Sequence, residues 1–328
     1  MNLKGKIVLI TGGTGSFGKA CVQYLLKQKL KKIIVLSRDE LKQDEMRKRI
    51  DSKIIRYLLG DIRDLERLKF AFKNVDYVIH AAALKQVPAA EYNPDEFIKT
   101  NINGSNNIIT AAIDCDVKKV LALSTDKAVN PINLYGATKL CAEKLFLNAN
   151  AMSGHGTKFS IVRYGNVINS RGSIIPLILS LKKKNQKIVP LTNYNMTRFF
   201  IKIEDAVRFV ISSLHKMDKG EIFIPKMSKA KIVDIIKAIY PEAKIKLIGI
   251  RPGEKIDEVL ISKDESHHTF ESKDYYVLQP DNSQFESKIL KKIKNIKKIK
   301  KSFLYSSSVK PFLSIQQIRS LIDIHVKD

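Results

Sequence analysis

Tryptophan is absent from this 328-residue sequence, and cysteine is scarce, with Cys21, Cys115 and Cys141 the three examples. The cysteines lie far apart and lack the close spacing of metal-ligand pairs, so we expect neither a disulfide framework nor a metal site. This cysteine usage is typical of a reducing compartment, and we predict a cytoplasmic protein.

Long apolar runs are also missing. The first apolar run, Ile7 to Ile10, is only four residues long, which is too short for a signal-peptide core or a membrane span. A run of this length is typical of a buried β-strand. We therefore expect no association with a membrane.

Acidic residues are few, since 33 Asp and Glu stand against 58 Lys and Arg, a formal net charge of +25. Such an excess is common in nucleic-acid-binding proteins. Here the lysines are spread along the chain among isoleucines and asparagines, without an aromatic-lined basic motif. We therefore expect no nucleic-acid partner and an attraction for anionic small molecules.

A glycine-rich turn follows the first predicted strand directly and precedes a predicted helix over about 19–29. Glycines at such a junction let the backbone approach a pyrophosphate, whose charge then lies at the N-terminus of the helix. The turn predicts a dinucleotide site made of Gly12, Gly13, Thr14, Gly15, Ser16, Phe17 and Gly18.

The end of the second predicted strand, 33–36, bears on the choice between NAD and NADP. An acidic side chain there binds the ribose hydroxyls of NAD, whereas an arginine accommodates the 2′-phosphate of NADP. Arg38, with Lys42 one turn later, favours NADP, although the carboxylate of Asp39 could also reach a ribose. We predict NADP, bound at this strand end by Ser37, Arg38, Asp39 and Lys42.

The third predicted strand, 54–58, is followed by Asp61 and Ile62, which we assign to the cofactor site. Asp61 is placed to meet the edge of the adenine. A role as the N-cap of the next helix is a comparable alternative, since aspartate is a preferred capping residue.

The fourth predicted strand, 75–80, ends at His80, which we interpret as a packed residue rather than a catalyst. Ala81 and the alanines after it leave room for a flat cofactor. Lys85 then faces phosphate or sugar, or is simply solvated.

The most versatile chemistry lies in the stretch 124–139, directly after the buried fifth strand. It offers a hydroxyl, a carboxyl, an amine, a phenol and a second amine on Thr125, Asp126, Lys127, Tyr135 and Lys139. Tyr135 and Lys139 are four residues apart, so on a helix they share one face. A lysine beside a tyrosine favours the phenolate, which can act as a base. Taken alone, such a pair more often belongs to an ordinary amphipathic helix.

Strands and helices alternate up to a sixth strand over 159–162, which predicts an α/β fold with a Rossmann-type, doubly wound parallel sheet. We assign 1–170 to the NADP-binding domain, with 196–215 returning to it. Residues 171–195 and 216–285 form a smaller substrate-binding region. Residues 286–328 form a basic helical C-terminal segment, in which isoleucines at 289, 293 and 296 fit one stripe of a short helix over 288–301.

The smaller region presents Arg-Pro-Gly-Glu-Lys at 251–255. An arginine and a carboxylate on a Pro-Gly turn suit a nucleotide, with the Arg251 guanidinium for phosphate and Glu254 for ribose hydroxyls. Alone, this sequence is more often a plain surface turn.

Several of these motifs together resemble the extended short-chain dehydrogenases/reductases: the glycine-rich turn, the Tyr135/Lys139 pair and Arg-Tyr-Gly-Asn-Val at 163–167. More closely, residues 37–42, 80–85, 125–128, 196–199 and 251–255 resemble the inverting UDP-N-acetylglucosamine 4,6-dehydratases that begin pseudaminic acid synthesis for flagellin glycosylation. The resemblance covers residues 4 to about 280 and resumes at Tyr305. It implies an NADP-dependent hydro-lyase that acts on UDP-N-acetylglucosamine and forms a homo-oligomer.

The resemblance also implies roles for the site residues. Hydride passes from C4 of the sugar to NADP while Tyr135, supported by Thr125 and Lys139, takes the hydroxyl proton. Lys127, at a position where related dehydratases carry glutamate, removes the C5 proton as Asp126 protonates O6. Hydride return to C6 and reprotonation of C5 from the opposite face give UDP-2-acetamido-2,6-dideoxy-β-L-arabino-hexos-4-ulose.

For this chemistry the pKa of Lys127 must fall, an effect that burial and Lys139 would favour and Asp126 would oppose. The resemblance further implies that Arg198 and Arg251 hold the diphosphate and Glu254 the uridine ribose. The substrate side of the cleft is completed by Lys85, Asn166 and Val167.

Three alternatives stay open. One is a non-inverting dehydratase, although membrane-bound enzymes of that kind tend to carry methionine at the position of Tyr135. Another is a dehydratase of a capsule or O-antigen pathway. The third is a catalytically idle NADP-binding regulator, a class that commonly loses Thr125, Tyr135 or Lys139.

Overall fold

A computed structural model describes residues 3–154, 156–279, 290, 293 and 295–323. The strands are β1 Ile7–Thr11, β2 Lys32–Ser37, β3 Ile55–Leu59, β4 Tyr77–His80, β5 Lys119–Thr125, β6 Lys158–Tyr164, β7 Asn166–Val167, β8 Ile188–Leu191, β9 Thr197–Ile201, β10 Ile222–Pro225, β11 Ser228–Lys231, β12 Lys244–Leu247, β13 Val259–Ile261, β14 Thr269–Glu271, β15 Tyr275–Leu278, β16 Lys297–Lys298 and β17 Tyr305–Ser306.

The helices are α1 Ser16–Leu26, α2 Glu40–Arg49, α3 Leu65–Phe72, α4 Val87–Tyr92, α5 Pro94–Phe97, α6 Gly104–Asp114, α7 Leu134–Met152, α8 Ile174–Lys183, α9 Ile203–Lys216, α10 Ile232–Ile239, α11 Lys263–Ser266 and α12 Ile315–Asp323. A π-helical turn spans Ile98–Asn103, and a 3₁₀ turn spans Asp126–Ala128.

A large sheet dominates the fold, with strands in the order β16-β14-β15-β10-β6-β5-β4-β1-β2-β3. The pairs among β1 to β6 are all parallel. β5 is buried along most of its length because parallel neighbours flank it and helices cover it, which explains its unbroken apolar sequence. The predicted doubly wound parallel sheet is therefore confirmed.

The large sheet extends further than the sequence predicted. β10 pairs in parallel with β6, and β15, β14 and β16 then add antiparallel strands. The assignment of the whole of 216–285 to the smaller region is therefore wrong, because β10, β14 and β15 belong to the large sheet. Within the segment 196–215, α9 packs on α1 and β5, whereas β9 lies in a separate three-stranded sheet, β11-β9-β7.

The smaller region has its own apolar core, formed mainly by α8, α10, α12 and β8. Ile178, Ile236 and Ile318 are almost completely buried there. In α12, Ile318 and Ile322 lie four residues apart, so both point from one face of the helix towards α10. The two-stranded sheet β12-β8 borders this core, and the β13-β17 sheet lies beside β9.

The π-helical turn Ile98–Asn103 lies between α5 and α6, and Asn101 faces inwards there. Its side chain accepts from the Leu84 N–H and donates to the Leu84 carbonyl, both at 2.9 Å, and also donates to Thr138 Oγ1 at 3.0 Å. These bonds join the segment to the loop after β4 and to α7. π-Turns of this kind recur at functional sites.

Part of the predicted basic helix over 288–301 lies outside the described residues, and within them Lys297–Lys298 form a strand instead. The predicted C-terminal helix is present as α12. Within the ranges that the structure describes, no helix is both long and apolar enough to cross a membrane.

Candidate active site

A cleft of about 720 Å³ opens at the carboxyl ends of the parallel strands. Nine lysines and arginines but only four aspartates and glutamates line it, so the cleft suits a substrate with several negative charges. Every predicted site residue lines this cleft except Gly13 and Asp126, both of which lie behind its wall. The predicted residues that line the cleft thus come from as far apart in the chain as Gly12 and Glu254.

The glycine-rich turn fits the pyrophosphate of a dinucleotide. α1 begins at Ser16, and its N-cap, Gly15, has no side chain to satisfy the first N–H groups. These donors therefore remain available for an anion. Gly12 has φ +65°, and a Cβ there would lie 2.9 Å from the Ala82 backbone, so any larger residue would close this end of the cleft.

Gly13 has a different role from the one predicted. A Cβ at this position would lie 2.8 Å from Val35 Cγ1, so the glycine allows the turn to pack on β2. It supports the shape of the cofactor site without lining it.

The end of β2 presents a cation to the cleft. The Asp39 carboxylate caps α2 by accepting from the Lys42 N–H at 2.9 Å, and it also pairs with the Lys42 ammonium. These bonds to Lys42 hold the pKa of Asp39 below its ordinary value. With Asp39 occupied in this way, the half-exposed Arg38 is the freer side chain at this end of the cleft.

Asp61 lines the cleft but does not cap the next helix. Asp64 caps α3 by accepting from the Arg67 N–H at 2.9 Å, so the capping alternative is wrong. The Asp61 carboxylate instead accepts from the Arg63 guanidinium at 2.7 and 2.9 Å and lies 3.5 Å from Arg38.

His80 is a packed residue, as predicted. It is buried, its ring contacts Phe146, and its Nδ1 lies 2.8 Å from Thr11 Oγ1. Burial, reinforced by the charge of Lys139, lowers the pKa of His80 to about 3. The imidazole is therefore neutral at physiological pH.

Tyr135 and Lys139 lie in the first turns of α7, whose N-cap Asn133 accepts from the Gly136 N–H at 2.7 Å. Both side chains are buried yet line the cleft. A Cβ on Gly136 would lie 2.2 Å from the Lys127 carbonyl oxygen. Only glycine at this position lets the helix approach the loop after β5, which brings the phenol close to Lys127.

The groups that act on Tyr135 differ from those predicted. Burial raises the pKa of Tyr135 to about 12, while the charge of Lys127 and a hydrogen bond with Thr125 lower it. Lys139 donates to the Leu123 carbonyl at 2.8 Å. Burial lowers the pKa of Lys139 to about 8, against the opposing charge of Glu143.

Lys127 bridges two carboxylates. Its Nζ lies 3.0 Å from Asp126 Oδ1 and 3.1 Å from Glu258 Oε1. Burial acts to lower the pKa of Lys127, but the charges of Asp126 and then Glu258 outweigh it, and the pKa is raised. The fall in pKa expected from the sequence is therefore not found, and an ammonium ion is the stable form in this environment.

Glu258 is the functional candidate that the sequence did not reveal. It is 2% exposed, directly precedes β13 and is 131 residues from Lys127. In the sequence it is one glutamate beside a short apolar run. Its position three residues after the 251–255 motif is the only local signal that could have pointed to it.

The 251–255 turn is held against the loop after β5. Asn133 Nδ2 and Lys255 Nζ each donate at 2.7 Å, to the carbonyls of Gly253 and Val129 respectively. Arg251 is exposed on the cleft wall, and Glu254 Oε2 accepts from Thr192 Oγ1 at 2.8 Å. The two ligand-binding candidates of this turn therefore sit on a fixed piece of backbone.

Arg198 lines the cleft but is largely engaged by the protein. Its guanidinium donates to the carbonyls of Thr197, Lys255 and Ile256 at 2.7 to 2.8 Å. Its Nε lies 3.8 Å from Glu258 Oε1. Arg198 is thus fixed where its charge acts on the Lys127 cluster as well as on the cleft.

A further cation, Arg171, was not predicted. Its N–H donates to Ser16 Oγ at 3.2 Å, and its side chain lines the cleft. Lys85 lies on the same cleft wall, where desolvation and then the charges of Lys127 and Arg171 lower its pKa. The short strand β7 pairs with β9, and both of its residues, Asn166 and Val167, line the cleft.

Comparison with known proteins places the chain among sugar-nucleotide enzymes. Residues 8–280 match the family model described as polysaccharide biosynthesis protein. A UDP-N-acetylglucosamine 4,6-dehydratase (inverting) of Campylobacter jejuni is 49% identical, over 98% of this chain and 97% of the relative. A UDP-glucose 4-epimerase of Rickettsia conorii is 41% identical, over 84% and 83%. The X-ray structure of Pen from Bacillus thuringiensis is 39% identical, covers 99% of both chains and has a TM-score of 0.91.

Proposed function

This chain belongs to the polysaccharide biosynthesis protein family, and we propose that it is an inverting UDP-N-acetylglucosamine 4,6-dehydratase that uses NADP. The observation that carries the proposal is the convergence of Asp126, Lys127 and Tyr135 at one end of an otherwise cationic cleft. The near full-length similarity to the dehydratase of Campylobacter jejuni supports the same substrate.

The glycine-rich turn and the N-terminus of α1 would hold the pyrophosphate of a nicotinamide dinucleotide, and Arg38 would hold its adenosine end. When bound, the cofactor would supply the hydride acceptor for C4 of the sugar and the hydride donor for C6. The chain's own part in this step is to take the proton of the C4 hydroxyl. We assign this step to Tyr135, a phenol on the cleft wall: burial raises its pKa, and the charge of Lys127 and the hydrogen bond with Thr125 oppose that rise.

Dehydration requires a base at C5 and an acid at O6. Once C4 is a ketone, the C5 proton is acidified, and Lys127 removes it. Asp126 gives its proton to O6, and water leaves. The 3.0 Å separation of Lys127 Nζ from Asp126 Oδ1 lets the two groups exchange the proton between turnovers.

The anionic parts of the substrate meet the cationic side of the cleft. The diphosphate is bound by Arg251, Arg198 and Lys85. The Glu254 carboxylate binds the uridine ribose by accepting hydrogen bonds from its hydroxyl groups. Asn166 and Val167 line the sugar side. We place the reaction at the first step towards pseudaminic acid, in a homo-oligomeric protein of the cytoplasm.

The similarity to UDP-glucose 4-epimerases supplies a second candidate. An epimerase returns hydride to C4, so it needs the tyrosine but has no use for an acid and a base at C6 and C5. The buried Asp126–Lys127 pair favours the dehydratase, because burying two charges for no chemical purpose is costly. An idle regulator is disfavoured for the same reason.

The test is conversion of UDP-N-acetylglucosamine by the purified protein in heavy water, without added oxidant, followed by proton NMR. We expect a 4-keto-6-deoxy sugar with deuterium at C5 and the L configuration. The D configuration would contradict inversion, a C4 epimer without C5 deuterium would identify an epimerase, and no turnover would favour the regulator.

The choice of NADP has its own test. Arg38→Ser removes the cation beside the adenosine ribose, so we expect the Kd of NADP to rise about tenfold while that of NAD changes little. Arg56→Ser, on the exposed side of β3, is the matched control. Equal losses for NADP and NAD in Arg38→Ser would contradict a phosphate contact.

A further inference from the structure

Lys127 cannot act as a base in the form that its surroundings favour. Asp126 and Glu258 stabilise its ammonium ion, yet removal of the C5 proton needs the neutral amine. Some group within hydrogen-bond distance has to take one proton from Lys127 Nζ. In the part of the chain that the structure describes, Asp126 and Glu258 are the two carboxylates at that distance, at 3.0 and 3.1 Å.

The two carboxylates differ in how well they accept a proton. Asp126 Oδ1 already accepts from Thr125 Oγ1 at 3.0 Å as well as from Lys127, and hydrogen bonds to a carboxylate favour its charged form. Each carboxylate also has one buried oxygen without a hydrogen-bond partner among the described residues, Asp126 Oδ2 and Glu258 Oε2. The difference between them is therefore the bond from Thr125. Glu258 Oε1 meets Lys127 Nζ at 3.1 Å and Arg198 Nε at 3.8 Å and, within the described ranges, has no such bond from a hydroxyl, so its ionised form is less well stabilised.

The backbone fixes Glu258 in this position. Its N–H donates to Ser307 Oγ at 2.9 Å, and the Ser307 N–H donates to the Glu258 carbonyl at 2.8 Å. Ser307 Oγ in turn lies 2.7 Å from Thr197 Oγ1. These bonds join β9, β13 and β17 and hold the Glu258 carboxylate beside Lys127.

We propose that Glu258 is the proton-sharing partner of Lys127, a positioning residue that converts the ammonium into the amine needed for C5 deprotonation. One proton moves from Lys127 Nζ to Glu258 Oε1: an N–H bond breaks, an O–H bond forms, and the ion pair becomes a neutral pair. No proton enters or leaves the cleft in this step. The inference rests on the proposed dehydratase function and adds to it a third acid–base group.

Burial raises the pKa of Glu258, against the opposing charge of Lys127, in the direction that proton sharing needs. Titratable and charged groups from four elements act on Glu258. Asp126 and Lys127 lie in the loop after β5, Tyr135 in α7, Arg198 in β9, and Lys255 in the same loop as Glu258. Of these, Asp126 favours the neutral carboxyl, whereas Lys127 and Arg198 favour the carboxylate.

The first test is Glu258→Gln in the full-length holoenzyme, with UDP-N-acetylglucosamine as substrate. The amide keeps the size of the side chain but cannot take the proton. We expect the bound nicotinamide to be reduced as in the wild type, while dehydrated product forms about 10²-fold more slowly. Raising the pH should restore part of the rate, because Lys127 then loses its proton to solvent. Glu258→Asp, which keeps a carboxyl, should recover part of the rate with the wild-type pH profile.

Asp257→Asn is the matched control. Asp257 is the preceding residue, does not line the cleft and accepts from Thr197 Oγ1 at 2.6 Å, a bond that an amide oxygen can keep. We expect its rate within about twofold of the wild type. A wild-type rate and pH profile in Glu258→Gln would overturn the proposal, and so would equal loss of nicotinamide reduction and dehydration.

A second readout requires no turnover, so it separates this inference from the proposed function. The infrared band of protonated carboxyl groups is followed against pH in the wild type and in Glu258→Gln. The band that the variant loses should titrate above the range of ordinary glutamates. A band that titrates in the ordinary range would overturn the proposal even if the protein is a dehydratase.

Discussion

Lys127 and Lys139 lie twelve residues apart in the chain and occupy opposite electrostatic environments. In the proposed reaction, Lys139 belongs to the hydride-transfer step and Lys127 to the dehydration step. Lys139 is buried beside a backbone carbonyl, and burial lowers its pKa to about 8. Lys127 is also buried, but two carboxylates raise its pKa. Burial is common to both, so the difference lies in the partners, and only Lys127 has acidic groups at hydrogen-bond distance on two sides.

The comparison indicates that hydride transfer and dehydration depend on different ends of the cleft. We call the surroundings of Tyr135 and Lys139 the redox end, and those of Asp126, Lys127 and Glu258 the dehydration end. The redox end is built from β1, β5 and α7, which all belong to the Rossmann part of the chain. The dehydration end needs Glu258 and Arg198, which arrive from strands outside the first six. Substitutions at the redox end should therefore stop every step, whereas those at the dehydration end should stop only the later ones.

The largest effect is expected for Tyr135→Phe. Phenylalanine fills the same space but cannot take the C4 hydroxyl proton, so turnover should fall about 10³-fold, with no reduced nicotinamide in a single turnover. Tyr57→Phe, which removes a buried hydroxyl on β3 with no hydrogen-bond partner among the described residues, is the control and should keep wild-type activity. Retention of more than about a tenth of the activity in Tyr135→Phe would contradict its role.

A smaller effect is expected for Thr125→Val, which lies between the two ends. Its hydroxyl lowers the pKa of Tyr135 and donates to Asp126. Without it we expect about a tenfold loss of turnover and a shift of the rate profile for nicotinamide reduction to higher pH. Thr125→Ser should restore both. An unshifted profile in the valine variant would show that the hydroxyl does not act on Tyr135.

The smallest effect concerns stability. The folded-state pKa of Lys139, about 8, lies below its ordinary value of 10.5. Between these values the unfolded chain binds more protons, so the contribution of Lys139 to the free energy of unfolding rises with pH. We expect Lys139→Met to stabilise the protein most at pH 7, with an advantage that shrinks by up to about 3 kcal/mol by pH 10.5.

Denaturant unfolding at several pH values measures this difference. Lys144→Met, an exposed position on the same helix, should show a pH-independent difference from the wild type. The same behaviour in Lys139→Met would mean that the pKa of Lys139 is equal in the folded and the unfolded chain, which would contradict the lowered value.

The redox end was largely predictable from sequence because its signals are local. A strand, three spaced glycines and a helix identify the dinucleotide turn, and Tyr135 and Lys139 lie one helical turn apart. The dehydration end was only half predictable. Asp126 and Lys127 are adjacent in the chain, but Glu258 reaches them through the pairing of β13 with β17, which no spacing in the sequence encodes.

The pKa values were the least predictable property. The sequence places Asp126 beside Lys127 but does not say whether burial or charge prevails, and the second carboxylate decides it. Gly136 is a similar case: its need for a missing Cβ arises from contact with the Lys127 carbonyl, which exists only after the loop and helix have folded together.

The separation of the two ends is tested most directly by one single-turnover measurement on Lys127→Ala holoenzyme. After addition of UDP-N-acetylglucosamine, nicotinamide absorbance and product NMR are followed in the same sample. We predict that reduced nicotinamide appears and persists while no dehydrated sugar forms, because Tyr135, Thr125 and Lys139 remain and the base at C5 is missing. Loss of the Lys127 charge at Tyr135 should slow the reduction without stopping it. Dehydrated product at the wild-type rate, or failure to reduce the nicotinamide, would contradict the separation of the two ends.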